Sequence, residues 1–269
     1  PMIFATAPRP EYVVLAKRAM RWATGTSGMA NGYIEWATAY AGRRRNSCDG
    51  VFPLTSPMSP MNKDQMEAAR QWCSAAGFRK TDDIRILFVG TFMSVFDFQP
   101  VYHAAKILCQ RRMPVQFILC GDGGFIKGVR EMMAGLPNVH FPGWMDRPKI
   151  EALTECSHAM IAPYLNIENF TRNIPNKIID ALALWQPILC PLDGEVAQLI
   201  SNYDVGMRYG GGTGVSLYEC IQTIIEHPER REQMSRNARQ LYHEQFSFEM
   251  VYGRLVNHLE RMASAKKGS

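Results

Sequence analysis

A lysine and an aspartate one helical turn apart are the residues best placed to do chemistry. They lie in the segment Ile174-Pro175-Asn176-Lys177-Ile178-Ile179-Asp180-Ala181. Pro175 suits the first position of a helix, so Asn176 and Lys177 would lie in its first turn. A lysine there opposes the helix dipole by up to about 1 kcal/mol, which indicates that an anion shares the site. Asp180 would lie on the adjacent face and suit the hydroxyl groups of a ribose. The alternative is an ordinary surface pair worth about 0.3 kcal/mol.

Three glycine-containing segments each follow a short apolar run. Gly90 would let the backbone approach a phosphate, and Thr91 can donate its hydroxyl. The second segment, Gly121-Asp122-Gly123-Gly124, lacks the full G-x-G-x-x-G spacing of a dinucleotide loop. The third, Phe141-Pro142-Gly143-Trp144-Met145, could form a slot for a base ring. Plain tight turns, and an ordinary packed Trp144, explain these patterns equally well.

From residue 84 onward, short apolar runs alternate with amphipathic segments. The pattern predicts strands over 84–89, 115–120, 138–141, 158–163, 187–190 and 205–209. It predicts helices over 97–112, 125–134, 146–156, 176–185 and 194–201, the third of them capped by Asp146. Connections this short predict an α/β fold, a Rossmann-like parallel sheet with helices on both faces. Ligands bind such sheets outside the carboxyl ends of the strands, which is where the segments above lie.

The two ends of the chain follow other patterns. After Gly210-Gly211-Gly212 come three helical segments, the last capped by Ser247 and running to about Met262. The first 80 residues predict helices over 12–20 and 29–41, a strand over 21–26, and a proline-containing linker over 48–61. One strand and two or three helices cannot close a sheet domain, so we interpret this segment as the end of a domain whose beginning, before Pro1, is missing.

This pattern divides the chain into three parts. Residues 1–80 are interpreted as the incomplete end of an N-terminal domain with its linker, and 81–246 as the ligand-binding Rossmann-like domain. Residues 247–269 are predicted to form a C-terminal helix that crosses toward the N-terminal domain and ends in a disordered tail from Ala263.

Composition narrows the function classes. The chain has 269 residues, 46% hydrophobic and 20% charged, as in ordinary globular proteins. The net charge of +5 suits anionic substrates or a membrane surface but is too small to indicate a nucleic-acid partner. The densest basic run, Arg43-Arg44-Arg45, is predicted to be a solvated loop or helix end.

Cysteine and histidine usage predicts a cytoplasmic protein with no metal. The seven cysteines are odd in number and show no C-x-x-C, and Cys120 and Cys190 end apolar runs, which predicts buried thiols in a reducing compartment. None of the six histidines has the spacing of a metal ligand. No apolar run reaches the roughly 18 residues that a membrane span needs, and no signal peptide is visible.

The order of these segments resembles the donor domain of family 4 glycosyltransferases, which have the GT-B fold. The resemblance covers roughly residues 12–262, and its specificity lies in five motifs in the right order. The Pro-Asn-Lys variant is similar to that of enzymes assembling O-antigen, capsule and exopolysaccharide. The motifs are Ile86-Leu87-Phe88-Val89-Gly90-Thr91, Leu119-Cys120-Gly121-Asp122-Gly123, Asn138-Val139-His140-Phe141-Pro142-Gly143-Trp144, Ile161-Ala162-Pro163-Tyr164, and Pro175-Asn176-Lys177 with Asp180-Ala181.

The resemblance implies a nucleoside-diphosphate sugar, UDP- or GDP-linked, as donor, with no metal and no further cofactor. The turn Gly143-Trp144-Met145 would hold the nucleobase and Asp180 the ribose. Lys177 and Asn176 would bind the diphosphate and act as the catalytic residues. The other donor-binding residues implied are Gly90, Thr91, Phe92, Gly121, Tyr164, Arg172 and Pro175.

The sequence departs from the family pattern at two places. The family has two glutamates eight residues apart, whereas this chain has Arg172 and Asp180, with Glu168 as a stand-in for the first. A basic pair after the first glycine loop is also missing, since residues 93–97 contain neither Arg nor Lys. The phosphate charge would therefore fall on Lys177, assisted by Arg172.

The implied reaction is transfer with retention to a saccharide or lipid-linked acceptor in surface-polysaccharide synthesis, with peripheral contact at the inner face of the inner membrane. The short N-terminal segment predicts weak donor binding and little or no turnover. A non-catalytic nucleotide-sugar-binding module or partner subunit is the main alternative. A GT-B epimerase or phosphorylase is another, and a nicotinamide oxidoreductase is disfavoured because no complete dinucleotide fingerprint follows any strand.

Overall fold

The computed structural model describes residues 10–56, 61–79, 81–212 and 214–267, with side chains described as far as residue 264. Its strands are β1 Ser27–Gly28, β2 Gly50–Val51, β3 Ile84–Val89, β4 Val115–Cys120, β5 Val139–Gly143, β6 Ala159–Ile161, β7 Ile188–Cys190 and β8 Gly206–Arg208. The helices up to the middle of the chain are α1 Pro10–Trp22, α2 Asn31–Ala41, α3 Lys63–Ala75, α4 Gln99–Gln110, α5 Ile126–Met132 and α6 Arg147–Thr154. They are followed by α7 Glu168–Thr171, α8 Asn176–Ala183, α9 Glu195–Tyr203, α10 Val215–Glu226, α11 Pro228–Leu241, a π-helical turn Tyr242–Phe246, and α12 Phe248–Lys267.

A six-stranded parallel sheet forms the centre of the fold, in the order β5-β4-β3-β6-β7-β8. The α/β fold predicted from the sequence is confirmed, with helices on both faces. Side chains of β3 alternate between two apolar cores, Leu87 facing one and Ile86 and Phe88 the other, because successive residues of a strand point to opposite faces. Burial on both faces explains why the strands are continuous apolar runs.

Several local predictions are confirmed. The six predicted strands are all present, and the Asp146 carboxylate caps α6 by accepting the Lys149 N–H at 3.2 Å. The Ser247 hydroxyl accepts the Met250 N–H at 3.4 Å at the start of α12. The thiols of Cys120 and Cys190 are fully buried.

One prediction near the N-terminus is wrong. No strand covers 21–26, because α1 continues through Trp22 and the Ala23 N–H still bonds to the Ala19 carbonyl at 3.0 Å. The strand pair instead joins β1 to β2, which lies inside the predicted linker. Helix α12 is described as far as Lys267, and the disordered tail from Ala263 stays a prediction. Pro1 and residues 268–269 lie outside the described residues.

The N-terminal unit, comprising α1, β1, α2 and β2, lies against the segment between β6 and α8 and against the start of α9. The Gly32 N–H donates to the Glu195 carboxylate at 3.0 Å, and the Tyr33 hydroxyl donates to the Asn169 carbonyl at 3.4 Å. Helix α3 packs on α6 instead, where Arg70 pairs with Glu155. The domain boundary at residue 80 stays a prediction.

The basic run at 43–45 contains one residue that is not solvated, which corrects the prediction for Arg43. Its guanidinium binds both carboxylate oxygens of Asp49, at 2.6 and 2.7 Å. The same carboxylate accepts the N–H groups of Thr26 and Asn46, each at 2.8 Å, and its side chain is fully buried. These bonds hold the pKa of Asp49 well below its usual range, the Arg43 hydrogen bond contributing most.

Replacing Asp49 by Asn should therefore destabilise the N-terminal unit. Removing one partner of a buried pair leaves an uncompensated charge, and the expected loss is about 3 kcal/mol. Hydrogen exchange of the α1 and α2 amides measures it. The matched control is Glu155→Gln, because the Arg70–Glu155 pair is exposed and should contribute less than about 1 kcal/mol. Equal losses of stability in Asp49→Asn and Glu155→Gln would contradict the conclusion that the buried Arg43–Asp49 pair stabilises the N-terminal unit. Since the folded-state pKa is depressed, the contribution of Asp49 is present above its unfolded pKa and lost as the pH falls through the folded one.

Among the described residues, no helix is both long and apolar enough to cross a membrane.

Candidate functional site

The strand order places a topological switch point between β3 and β6. The chain passes outward from β3 through β4 to β5, then returns to β6 and continues outward on the other side through β7 to β8. The loops after β3 and β6 therefore separate at their carboxyl ends and leave a crevice, the general ligand position in open α/β sheets. Gly90 follows β3 directly, and Tyr164 lies three residues beyond β6.

Helix α8 begins at this crevice. Pro175 is the residue before the helix, with φ −67° and ψ 155°, and Asn176 is the first helical residue. Pro175 is therefore the N-cap rather than the first helical position predicted from the sequence. The consequence for the site is small, since Lys177 still lies in the first turn.

The Lys177 side chain points inward, toward the end of β3. Its ammonium donates a short hydrogen bond to the Val89 carbonyl. It lies 4.8 Å from the ring centroid of Phe88 and 5.3 Å from that of Phe96. Lys177 therefore lies at the carboxyl edge of the sheet, as the sequence predicts for a lysine at the start of this helix.

Burial makes this lysine an unusual cation. It lowers the pKa of Lys177 to about 8, and the nearby Asp180 carboxylate opposes that shift. The positive end of α8 is a further unfavourable neighbour for an ammonium. An anion placed beside Lys177 would stabilise its charged form, and this is the electrostatic property that an anion site requires.

The position of the Lys177 ammonium leaves no space for a side chain on the residue that follows β3. Gly90 has φ +150°, and a Cβ built on it would lie 1.6 Å from the Lys177 Nζ atom. Any larger residue would have to displace the ammonium. Gly121 has a different role, because its Cβ would lie 1.9 Å from the Gly90 carbonyl oxygen. Its lack of a side chain lets the first two glycine loops pack backbone against backbone.

A cavity of about 390 Å³ opens beside these loops. Trp144 forms an exposed rim, 74% accessible, whereas Met145 is buried in its wall. Gly143 has φ +86° with free space around its Cβ position, and its carbonyl accepts the Gly121 N–H at 2.8 Å. The flat rim and apolar floor suit a planar ring. The lining consists of Val89, Gly90, Thr91, Cys120, Gly121, Asp122, Gly123, Trp144, Met145 and Ile150.

A smaller cavity of about 190 Å³ adjoins the first, since both are lined by Val89 and Ile150. Asp180 lines it, together with Ser56. Burial raises the pKa of Asp180, while a hydrogen bond from Ser56 and the Lys177 charge oppose the shift. The two cavities and Lys177 thus offer a ring slot, a carboxylate acceptor and a cation next to one another.

Tyr164 supports the start of α8 from beneath. It is buried, and its ring packs 4.8 Å from that of Phe96 and 4.7 Å from that of Phe170. Burial raises its pKa, and the nearby Lys177 backbone opposes the shift. The Ile178 N–H bonds to the Pro175 carbonyl at 2.9 Å, whereas the Asn176 N–H forms no hydrogen bond among the residues described.

Two of the predicted donor-binding residues line neither cavity. Phe92 is fully buried, and its ring packs against Phe88 and Phe98 at 5.2 and 5.3 Å, so its side chain cannot line a donor site. Arg172 forms an ion pair with Glu168 and lines neither cavity. Its backbone is instead packed against Gly32, whose Cβ position lies 2.8 Å from the Arg172 carbonyl oxygen.

Sequence patterns missed Ser56 and Ile150 as lining residues. Ser56 stands among prolines in the predicted linker, without periodicity that could place it, and Ile150 follows the apolar pattern of an ordinary helix. Among the residues that the structure describes, no group of His, Cys, Asp and Glu is arranged to hold a metal ion.

A family model described as glycosyl transferases group 1 matches residues 74–241. The D-rhamnosyltransferase WbpZ of Pseudomonas aeruginosa is 28% identical over 115 residues, which are 42% of this chain and 29% of that protein. The match therefore spans less than a third of this relative's length.

Several solved structures superpose on this chain and share its fold. Anabaena Alr3699/HepE in complex with UDP superposes with a TM-score of 0.72 at 17% identity, covering 97% of this chain and 69% of that one. A glycosyltransferase from Rickettsia africae gives 0.70 at 14% identity, covering 95% and 68%. WaaG, a glycosyltransferase involved in lipopolysaccharide biosynthesis, gives 0.64 at 14% identity, covering 85% and 60%. At these identities the likeness establishes the fold alone.

Proposed function

This chain belongs to the glycosyl transferases of group 1, and we propose that it binds a nucleoside-diphosphate sugar at the switch point of its sheet. The proposed reaction transfers the glycosyl group to a saccharide or lipid-linked acceptor, with retention at the anomeric carbon and without a metal ion. The observation that carries the proposal is the inward-pointing Lys177 at the start of α8, whose ammonium lies on the carbonyl of Val89, a residue that lines both cavities.

The order of groups along the crevice supports a nucleotide. A base fits the cavity rimmed by Trp144, and the ribose hydroxyls fit the carboxylate of Asp180. The diphosphate then lies against the Lys177 ammonium and the unpaired Asn176 N–H. Helix starts bind phosphate in this way because their free N–H groups and dipole favour an anion. Phe92 has no part in the proposed site, and Arg172 has none through its side chain.

The related proteins support the choice of donor and pathway. HepE was solved with UDP and with UDP-glucose, WbpZ is named a D-rhamnosyltransferase, and WaaG acts in lipopolysaccharide biosynthesis. We therefore propose a UDP- or GDP-linked sugar and a role in surface-polysaccharide synthesis. A cytoplasmic location, with contact at the inner face of a membrane, belongs to the same proposal.

Lys177 would act on the leaving group. As the bond between the anomeric carbon and the phosphate oxygen breaks, the acceptor oxygen takes its place, the hydroxyl proton is released, and negative charge grows on the departing phosphate. A fixed ammonium and N–H group in a desolvated site stabilise that charge more in the transition state than in the ground state. This difference accelerates the reaction.

One observation favours a second candidate, a nucleotide-sugar-binding module without turnover. Arg172 stands where the family places the first glutamate, and the neighbouring Glu168 is neutralised by pairing with it. Both candidates share the same nucleotide site.

Thermal unfolding with a panel of nucleotides tests the binding that both functions require. We expect UDP or GDP, and the corresponding sugar, to raise the melting temperature more than ADP does. A ligand at 100 times its dissociation constant adds about 2.7 kcal/mol to the free energy of unfolding. Absence of any shift with all of these ligands would reject the proposed site.

The pKa of Lys177 makes nucleotide binding depend on pH. A bound diphosphate favours the charged lysine, whose pKa in the free protein is about 8. Affinity should stay level below that pH and then fall by up to about tenfold per pH unit. Calorimetry from about pH 7 to about pH 9.5 measures this, and the β-phosphate of the nucleotide is already ionised over most of that range. Lys177→Arg should remove the decline, because guanidinium does not titrate there. If the wild type binds the nucleotide as tightly at about pH 9.5 as at about pH 7, the proposed role of Lys177 is contradicted.

A further inference from the structure

Ser56, in the segment between β2 and α3, reaches the proposed ribose cavity. It lines the cavity together with Asp180, and its hydroxyl interacts with the Asp180 carboxylate in a way that favours the ionised form. Ser56 is the last described residue before 57–60, and it belongs to the stretch that the sequence predicts to be a linker. A linker residue therefore touches the group that would hold the ribose.

Ser56 is itself fixed from the opposite side. The Tyr242 hydroxyl donates to the Ser56 carbonyl at 2.5 Å. Tyr242 is 2% exposed and opens the π-helical turn between α11 and α12. Such turns are rare and occur often at functional sites. The C-terminal part of the fold thus anchors the linker against the site, through the chain Tyr242, Ser56 and Asp180.

The carboxylate keeps room for a ligand. An ionised carboxylate has two oxygens with about four acceptor positions, of which the Ser56 hydroxyl occupies one. About 190 Å³ of cavity remains beside it. The remaining positions can accept both hydroxyl groups of a ribose. A protonated carboxyl group would accept fewer hydrogen bonds, so the ionised form is the one that suits the ribose.

The ionisation of Asp180 depends on its neighbours. Burial raises its pKa, whereas the Ser56 hydrogen bond and the Lys177 charge lower it. Tyr164 also interacts electrostatically with Asp180. On the far wall of the cavity, Arg147 and Glu151 pair with each other at 2.7 Å. Ser56 is thus one of the two groups that favour the charged form.

We infer that Ser56 is a positioning residue for nucleotide binding: it holds the Asp180 carboxylate in one orientation and presents its free oxygen to the ribose. This inference rests on the proposed function, since it assigns the ribose to the same cavity. The opposite role, in which Ser56 occupies the place of a ribose hydroxyl and hinders binding, predicts the reverse result and is tested by the same experiment.

The test is calorimetric titration of the whole chain with UDP and with inorganic pyrophosphate, which lacks a ribose. We expect Ser56→Ala to weaken UDP binding about tenfold and to leave pyrophosphate binding unchanged. Between about pH 5 and about pH 8, the loss of UDP affinity on acidification should begin at a higher pH in Ser56→Ala, because the pKa of Asp180 rises without the hydrogen bond. The titration of UDP itself is common to both proteins and cancels in the comparison.

Two further variants separate positioning from folding. Ser56→Thr keeps the hydroxyl and should bind UDP like the wild type. Tyr242→Phe keeps the buried ring and removes only the bond to the Ser56 carbonyl, so a smaller loss in the same direction is expected. Wild-type or tighter UDP binding by Ser56→Ala would overturn the inference, as would an equal loss for pyrophosphate. A wild-type chain that binds neither ligand would reject the proposed function itself.

Discussion

Lys177→Ala should lower donor turnover by two to three decades while weakening donor affinity much less. Losing one fixed charge donor from a desolvated site typically costs about 3 kcal/mol in the transition state. The ground state loses less, because negative charge on the leaving phosphate grows only as the glycosidic bond breaks. Release of nucleoside diphosphate from the donor, to an acceptor or to water, measures the turnover, and calorimetry measures the affinity.

Lys149→Ala is the matched control for this experiment. Lys149 also lies in the first turn of a helix, α6, and its ammonium lies 5.4 Å from the ring centroid of Trp72. Its ammonium lies over Trp72 and beside Asp146 rather than on the Val89 carbonyl, so both turnover and affinity should stay at the wild-type level. Equal losses of turnover and affinity in Lys177→Ala would mean that the lysine binds the donor without assisting bond cleavage. A wild type with donor affinity but no turnover would favour the binding module.

Gly90→Ala should remove most of the nucleotide binding that depends on Lys177. It does so without changing a side chain that would itself touch the nucleotide. The added methyl group would lie 1.6 Å from the Lys177 Nζ atom, so the ammonium has to leave the Val89 carbonyl. The backbone at φ +150° adds strain of about 1–3 kcal/mol for a residue with a Cβ. We expect a loss of about one decade in affinity for UDP or GDP, no larger than the loss in Lys177→Ala, measured by calorimetry on protein whose folding is checked by thermal unfolding.

Gly124→Ala is the control for the glycine substitution. Gly124 lies in the neighbouring loop, and nothing lies within 4 Å of its Cβ position. This variant should bind nucleotide like the wild type. If Gly90→Ala is folded and keeps its affinity, the ammonium does not need its observed position in order to bind the ligand.

Much of the fold can be predicted from the sequence because the parallel strands are buried on both faces. Runs such as 84–89 and 115–120 are apolar except for Arg85 and Gln116, and each is followed by a glycine, which marks both the strand and the loop after it. The prediction of a strand over 21–26 is wrong because this segment is not a buried, continuous apolar run. Its local preference for helix or strand is therefore weak. There the packing of α1 on α2, with Arg21 bonded to the Ala41 carbonyl at 3.1 Å, decides the structure.

The site could be predicted where a residue's position conflicts with its local energetics. Lys177 opposes a helix dipole, and that conflict indicates an anion without any tertiary knowledge. Phe92 offers no such signal, since the side of the loop that it faces is set by the packing of Phe88 and Phe98. Ser56 acts on Asp180, and Asp49 accepts the N–H of Thr26; both partners are distant in sequence, and no spacing along the chain encodes them.

A crystal structure of this chain with the nucleotide that stabilises it most would test the diphosphate site at α8 most directly. We predict the diphosphate within hydrogen-bonding distance of the Lys177 ammonium and the Asn176 N–H, the base against Trp144, and the ribose hydroxyls on Asp180. A nucleotide bound elsewhere, with the Lys177 ammonium still on the Val89 carbonyl and the start of α8 free of phosphate, would contradict it.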